Sequence, residues 1–262
     1  MRIVRARPLA TLVAVGAITA LATVPLAILA IASVGRHWYW PSLLPTEWSL
    51  RGWDYLVSEG AGVGVALGRS LGIATAVSMV AVAAALPAAR VLAFEEFRGK
   101  RMLLFALLLP VLTPPLAAAM GVHAVFLRVG LVDSVFAVAL VHLIPAVPYA
   151  TLMLTGSFMN FDRALEAQAR TLGATRWAVW ARVTLPILLP GIIVAASFAF
   201  LISWSQYLLT LIIGGGRVIT LPLLLVAFQR AGDDAVGGAM AMVFIAPTLV
   251  LFAIVARHLK EL

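Results

Sequence analysis

Apolar residues in this chain come in long unbroken runs, not in two-residue alternations. Six runs stand out, at about 8–34, 65–92, 102–127, 134–157, 188–212 and 237–257. A helix of roughly 20 apolar residues crosses a hydrocarbon core of about 30 Å. Backbone groups in lipid must be satisfied internally, by helices or by a closed barrel. The ten-residue alternating segments of a barrel are missing. The pattern therefore predicts an all-α membrane protein with six transmembrane helices. It forms one transmembrane domain over 1–262, with an N-terminal anchor helix at 8–34 and a core bundle over 65–257. A single polar loop, 160–186, interrupts that bundle. Arg2, Arg5 and Arg7 precede the first run and "AIA" lies at 30–32, as in a cleavable leader. The run is longer than a leader's apolar core of roughly 7–15 residues, so an uncleaved anchor is expected.

Composition supports the membrane assignment. The chain is 63% apolar and 11% charged, against about a quarter charged in soluble domains. It has no cysteine, which excludes disulfides, thiol catalysis and Cys-ligated metals. A net charge of +8 would suggest nucleic acid in a soluble protein, but here its distribution decides. With the N-terminus in the cytoplasm, 13 of the 19 Lys and Arg residues fall inside, among them Arg90, Arg98, Lys100, Arg101, Arg163, Arg170, Arg176, Arg182, Arg257 and Lys260. Glu95, Glu96, Asp162, Glu166 and Glu261 are the inside acids, and the outside is neutral. The excess follows the positive-inside rule and puts both termini in the cytoplasm.

Prolines punctuate the runs at 87, 110, 114, 115, 145, 148 and 247. Each removes a backbone hydrogen bond and bends its helix, which fits either static packing or a bundle that opens alternately to the two sides. Outside, residues 35–60 hold Trp38, Tyr39, Trp40, Trp48, Trp53 and Tyr55, an aromatic belt or a partner surface. "LPLLLVAF" within 213–236 is too short to span and fits an interfacial or re-entrant helix.

The polar loop is patterned. Leu165, Ala169 and Leu172 share one helical face, and Arg163, Glu166 and Arg170 the other, with Glu166 and Arg170 paired at i, i+4. Asp162 suits the N-cap, Gly173 a left-handed C-terminal corner, and Thr175 the cap of a second helix, "RWAVWARVT", that ends before Pro186. Trp177 and Trp180 add large apolar anchors. Two short helices on a membrane surface serve either to lie on anionic lipid or to dock into a partner's groove.

The spacing Ala169, Gly173, Val183, Leu185-Pro186 resembles the signature of inner-membrane permease subunits of type I ABC importers: Glu-Ala-Ala, three residues, Gly, nine residues, Ile, one residue, Leu-Pro. The signature's Glu falls on Ala167 and its first Ala on Gln168. Glu166 comes one position early, about 100° round the helix. "FRGK" at 97–100 and the Leu-x-x-Trp-x-x-Leu flavour at 50–56 are similar to the spermidine/putrescine branch. The resemblance implies half of a translocation pathway for a small polar solute. It implies a homologous or identical second permease, two ABC ATPase subunits that carry the ATP and Mg, and an extracytoplasmic solute-binding protein, all at a bacterial inner membrane. It assigns ATPase docking to Leu165, Glu166, Ala169, Arg170, Leu172, Gly173, Arg176, Trp177, Trp180 and Pro186.

The resemblance also implies that the last two spans line the pathway. Ser203, Gln206 and Tyr207 fall at i, i+3, i+4 on one face of the fifth run. An acid expected of a polyamine carrier is missing there. His123 and His142 lie inside spans and suit packing or interhelical hydrogen bonds. No set of residues has metal-ligand spacing, no nucleophile–base set is present, and no Walker A sequence occurs. The chain is therefore read as a non-enzyme that holds no cofactor of its own. A stand-alone secondary transporter is the alternative, but it would need intramembrane charges for ion coupling. Only Arg69 and Arg90, near span ends, are available. A membrane-embedded enzyme would need polar catalytic groups at depth.

Overall fold

The computed structural model describes residues 8–38 and 41–260, with the side chains of 8–10 and 258–260 left out. Arg2, Arg5, Arg7, Tyr39, Trp40 and Glu261, used above, lie outside the described residues. The chain runs α1 (Pro8–Val34), β1 (Gly35–Arg36), β2 (Glu47–Trp48), α2 (Arg51–Val57), a 3-10 turn (Glu59–Ala61), α3 (Val63–Phe94), α4 (Lys100–Leu112), α5 (Pro115–Arg128) and α6 (Val135–Met159). It continues through α7 (Ala164–Thr171), α8 (Arg176–Val179), a π turn (Trp180–Thr184), α9 (Leu185–Trp204), α10 (Leu208–Ile213), α11 (Leu221–Arg230) and α12 (Asp234–Lys260). Among the described residues five helical stretches are long and apolar enough to cross a bilayer, and the α4–α5 pair makes a sixth. The protein is an all-helical membrane protein, as its apolar runs predict.

The chain divides into two compact units: residues up to Gly64 with Leu224–Ala246, and Val65–Leu223 with the stretch from Pro247 on. In the first, β1 and β2 form an antiparallel pair, Gly35 opposite Trp48 and Arg36 opposite Glu47. Arg51 pairs with Asp233, Trp53 Nε1 donates to Ser33 Oγ at 3.3 Å, and Tyr55 meets Phe228 edge-on at 5.8 Å. The aromatic residues of this segment thus divide. Trp53 is half-buried, whereas Trp48 and, despite its ring contact, Tyr55 are exposed. The "LPLLLVAF" segment is α11, ten residues long, about 15 Å and half a bilayer core.

The second unit is built on small residues. Val77, Ala81, Ala85 and Ala89 of α3 recur every fourth position, as do Ala146, Ala150, Leu154 and Phe158 of α6, and all lie in one buried cluster with Ala195 and Ala199 of α9. Small side chains let membrane helices approach closely, where packing contacts replace the missing hydrophobic drive. Gly191 of α9 shows how close: a Cβ there would stand 2.8 Å from Ser157 Cβ of α6. Ser78 Oγ of α3 donates to the Ala196 carbonyl of α9 at 2.7 Å.

Two runs differ from the prediction. The third, read as one span over 102–127, is broken: α4 and α5 meet at 103°. Pro114 holds the preceding Thr113 extended (φ −80°, ψ 133°), as a proline does to its predecessor. The fifth, read as helix over 188–212, ends at Trp204 and resumes at Leu208. Upstream, the second short helix does not stop before Pro186. It passes through the π turn into α9, and the Leu185 N–H bonds to Trp180 O, five residues back. That extra residue in the turn accommodates a proline with no N–H to donate.

We expect Gly191→Val to lower the detergent melting temperature by the equivalent of about 1–3 kcal/mol of overpacking. Gly156→Val, on a face with nothing within 4 Å, should change it little. Equal melting of both variants would contradict the close α6–α9 approach.

Candidate functional site

The loop between α6 and α9 folds as its capping residues direct. Asp162 Oδ1 accepts from the Ala164 N–H at 2.8 Å. At the far end of α7, Gly173 N–H bonds to Arg170 O at 2.9 Å and Ala174 N–H to Ala169 O at 3.1 Å. This pair of bonds is a Schellman corner, and it requires the left-handed φ of +85° found at Gly173. A Cβ there would meet nothing within 4 Å, so the constraint is backbone conformation alone. Thr175 Oγ1 then accepts from Ala178 N–H at 3.2 Å and starts α8.

One polar residue of α7 departs from the sequence pattern, while Arg163 and Arg170 stay exposed. Glu166, expected on the solvent face beside Arg170, points inward and is 6% exposed. Arg90, near the end of α3, grips it with both arms: Nη1 to Oε1 at 2.8 Å and Nη2 to Oε2 at 2.6 Å. Thr184 Oγ1, buried in the π turn, donates to Oε1 at 2.7 Å. The Arg90 guanidinium lies over the rings of Phe94 at 5.5 Å and Phe158 at 6.0 Å, and Arg163 covers Phe94 at 4.7 Å. A cation at a span end needs a counter-charge in low dielectric, and the only buried carboxylate among the described residues answers it. Glu166, expected as a docking contact, is thus held inside as an ion-pair partner in this structure. Arg90 and Thr184, absent from the candidate list, complete the site. The unpaired arginine at the end of an apolar run was the signal for them.

With Glu166 inside, the apolar residues face out. Leu172 is 87% and Trp177 77% exposed, with Leu165 also exposed. Arg170, Gly173, Arg176 and Pro186 share that exposure, while Ala169 and Trp180 are half-buried. The candidate residues other than Glu166 thus form a surface or its edge.

The other candidate set sits at the α9–α10 break. Ser203 is buried at the end of α9, but Gln206 and Tyr207 lie in the non-helical link, so the three do not share a helical face. His142 of α6 spans the break, with Nδ1 2.9 Å from Ser203 Oγ and Nε2 3.0 Å from Thr210 Oγ1. Thr210 donates its own proton to the Gln206 carbonyl at 2.8 Å. It must therefore accept from His142 Nε2–H, which leaves Nδ1 to accept from Ser203. The network fixes the tautomer and supplies the interhelical hydrogen bond expected of His142. His123 Nδ1 is buried without a partner. Gln206 lines both the small polar pocket with His142, Ser203 and Thr210 and an apolar cleft of about 300 Å³ lined by Leu109, Thr113, Pro145 and Leu208. Among the described residues no group of His, Asp and Glu could hold a metal ion.

A broken-span bundle carrying a capped surface-helix pair is the fold of an ABC importer permease. The chain superposes on a bacterial ABC transporter involved in the import of the acidic polysaccharide alginate, with a TM-score of 0.68, 15% identity and 95% of both chains covered. Residues 81–261 match the family described as binding-protein-dependent transport system inner membrane component, and the chain belongs to it. Among its relatives, the molybdenum transport system permease protein of Mycobacterium tuberculosis is 31% identical over 207 residues, covering 73% of this chain and 78% of that one. The putrescine transport system permease protein of Escherichia coli is 27% identical over 216 residues, covering 79% and 74%.

The two bonds from Arg90 pull the Glu166 carboxyl down; burial opposes them and Thr184 assists, and its pKa settles at about 2, from an ordinary 4.5. A depressed carboxylate stabilises the fold fully above its unfolded pKa and loses that contribution as pH falls through its folded one. The ion pair should therefore hold the loop fully above about pH 4.5 and release it between there and about pH 2. At neutral pH, Arg90→Ala should cost about 3–5 kcal/mol by leaving the buried Glu166 carboxylate unpaired, and Glu166→Ala, which leaves a half-buried arginine, should cost less. The double variant should cost less than their sum, and strict additivity in detergent melting would contradict the pair.

Proposed function

We propose that this permease is half of the translocation pathway of an ATP-driven importer and docks an ABC ATPase through 162–186. The exposure of Leu172 and Trp177 carries this reading. Two large apolar side chains stand out from a capped helix pair whose one intrahelical carboxylate, Glu166, is drawn inside. Docking an amphipathic helix into a groove buries such anchors, and each large side chain so buried contributes roughly 1.5–3 kcal/mol. Arg170 and Arg176 flank the anchors and suit ion pairs at the rim. The loop lies on the cytoplasmic side, as do both termini, with the positive residues. A second permease, homologous or identical, supplies the other half of the pathway, and a solute-binding protein delivers the solute from outside. ATP and Mg belong to the ATPase subunits, and this chain is not itself an enzyme.

The pathway runs past the α9–α10 break. Ser203, Gln206 and Tyr207 offer neutral polar groups there, and the break lets the helix end turn polar backbone toward a passing solute without exposing it to lipid. The solute is small and polar. The spermidine/putrescine branch is supported by the putrescine relative and weakened by the neutral character of Ser203, Gln206 and Tyr207.

Tagged protein solubilised from its own host's membrane should bring down an ATPase and a second permease. Trp177→Asp should lose at least nine-tenths of the ATPase while keeping the second permease. Retention of the ATPase by Trp177→Asp at the level of the unmodified chain would contradict docking through this surface.

A further inference from the structure

We propose that Arg90, Glu166 and Thr184 form a latch that passes movement of the docking loop directly to α3 and α9. The inference rests on the docking of an ATPase at 162–186, and it gives the three residues a positioning role.

A short surface helix between two flexible joints would be a poor lever. Helix α7 has eight residues, and a corner at Gly173 would let it swing on its own. The buried carboxylate prevents this. It takes hydrogen bonds from α3 through both arms of Arg90, at 2.8 and 2.6 Å, and from the π turn through Thr184, at 2.7 Å. The bidentate fork fixes orientation as well as distance. Arg90 also rests on Phe158 of α6, so four segments meet at one ion pair. Moving α7 without α3 would strand a charge in a nonpolar setting, which is far costlier than moving them together. The π turn adds to the coupling. Thr184 is its last residue, and α9 follows without a break as far as Trp204, beside the link at 205–207. A displacement of α7 therefore reaches the α9–α10 break along one continuous helix.

The position of the carboxylate matches this role. The signature's Glu position is filled by the exposed Ala167, and the acid one residue earlier faces the bundle. A Glu at 166 is unsuited to contact a partner and suited to hold the loop.

The test uses the complex purified from host membranes into nanodiscs, with its ATPase retained. Ser205→Cys at the exposed break introduces the only thiol in a cysteine-free chain. Its maleimide labelling rate is read with and without MgATP and vanadate. In the Ser205→Cys background the nucleotide should change the rate at least threefold. With Glu166→Gln or Arg90→Lys added, the change should vanish while the ATPase stays bound and still hydrolyses ATP. Thr184→Val should cut the response severalfold, and Thr184→Ser, which keeps the hydroxyl, should restore it; this pair carries the test if the charge variants insert poorly. An unchanged response in Glu166→Gln overturns the latch, and so does loss of the ATPase from that variant, which would make Glu166 a docking residue. A Ser205→Cys complex that retains no ATPase at all overturns docking itself and the latch with it.

Discussion

One buried carboxylate organises the working end of this protein. Glu166 is held by Arg90 and Thr184 at 2.6 to 2.8 Å, in a setting where an unpaired carboxylate would be costly. That requirement sets the roll of α7 about its axis. With Glu166 facing the bundle, Leu172 at the end of α7 and Trp177 beyond the Gly173 corner both stand exposed. The same ion pair links the ends of α3 and α6 to the start of α9 and holds together the region where the bundle meets the loop.

Much of this was legible in the sequence, for identifiable reasons. Apolar runs of bilayer length mark the spans because lipid admits little else. Gly173 and Thr175 mark the helix ends because capping is local chemistry, and each occupies its expected place, while Asp162 stands one residue before the cap and still accepts from the Ala164 N–H. The roll of α7 was not legible, because a helical wheel weighs Leu165 and Leu172 against Glu166 and does not know that Arg90 waits at the end of another span. The π turn was hidden for a similar reason. Pro186 reads locally as a stop, and only the pairing of Leu185 with Trp180 shows that the helix goes on.

The break after Trp204 teaches the same lesson about the membrane interior. Ser205, Gln206 and Tyr207 are polar but carry no charge, glycine or proline, and apolar residues resume at Leu208, so the run looks like one helix. The structure interrupts it at a point where His142, Ser203 and Thr210 satisfy one another, and those bonds join residues 61 and 68 positions apart. Polar groups at such depth need partners, and here they find them across a helix break beside two pockets. The α4–α5 bend at Thr113–Pro114 lines one of these pockets. Both interruptions of the apolar runs therefore meet at Gln206, which lines both pockets.

The most direct measurement is thiol accessibility on the outward face of the loop. Leu172→Cys, in a chain with no other cysteine, is labelled with a membrane-impermeant maleimide in inside-out vesicles, with the ATPase present or stripped away. The account predicts fast labelling of the stripped vesicles and at least tenfold protection when the ATPase is restored. Equal labelling in both states would show that nothing docks over Leu172 and would contradict the account at its centre.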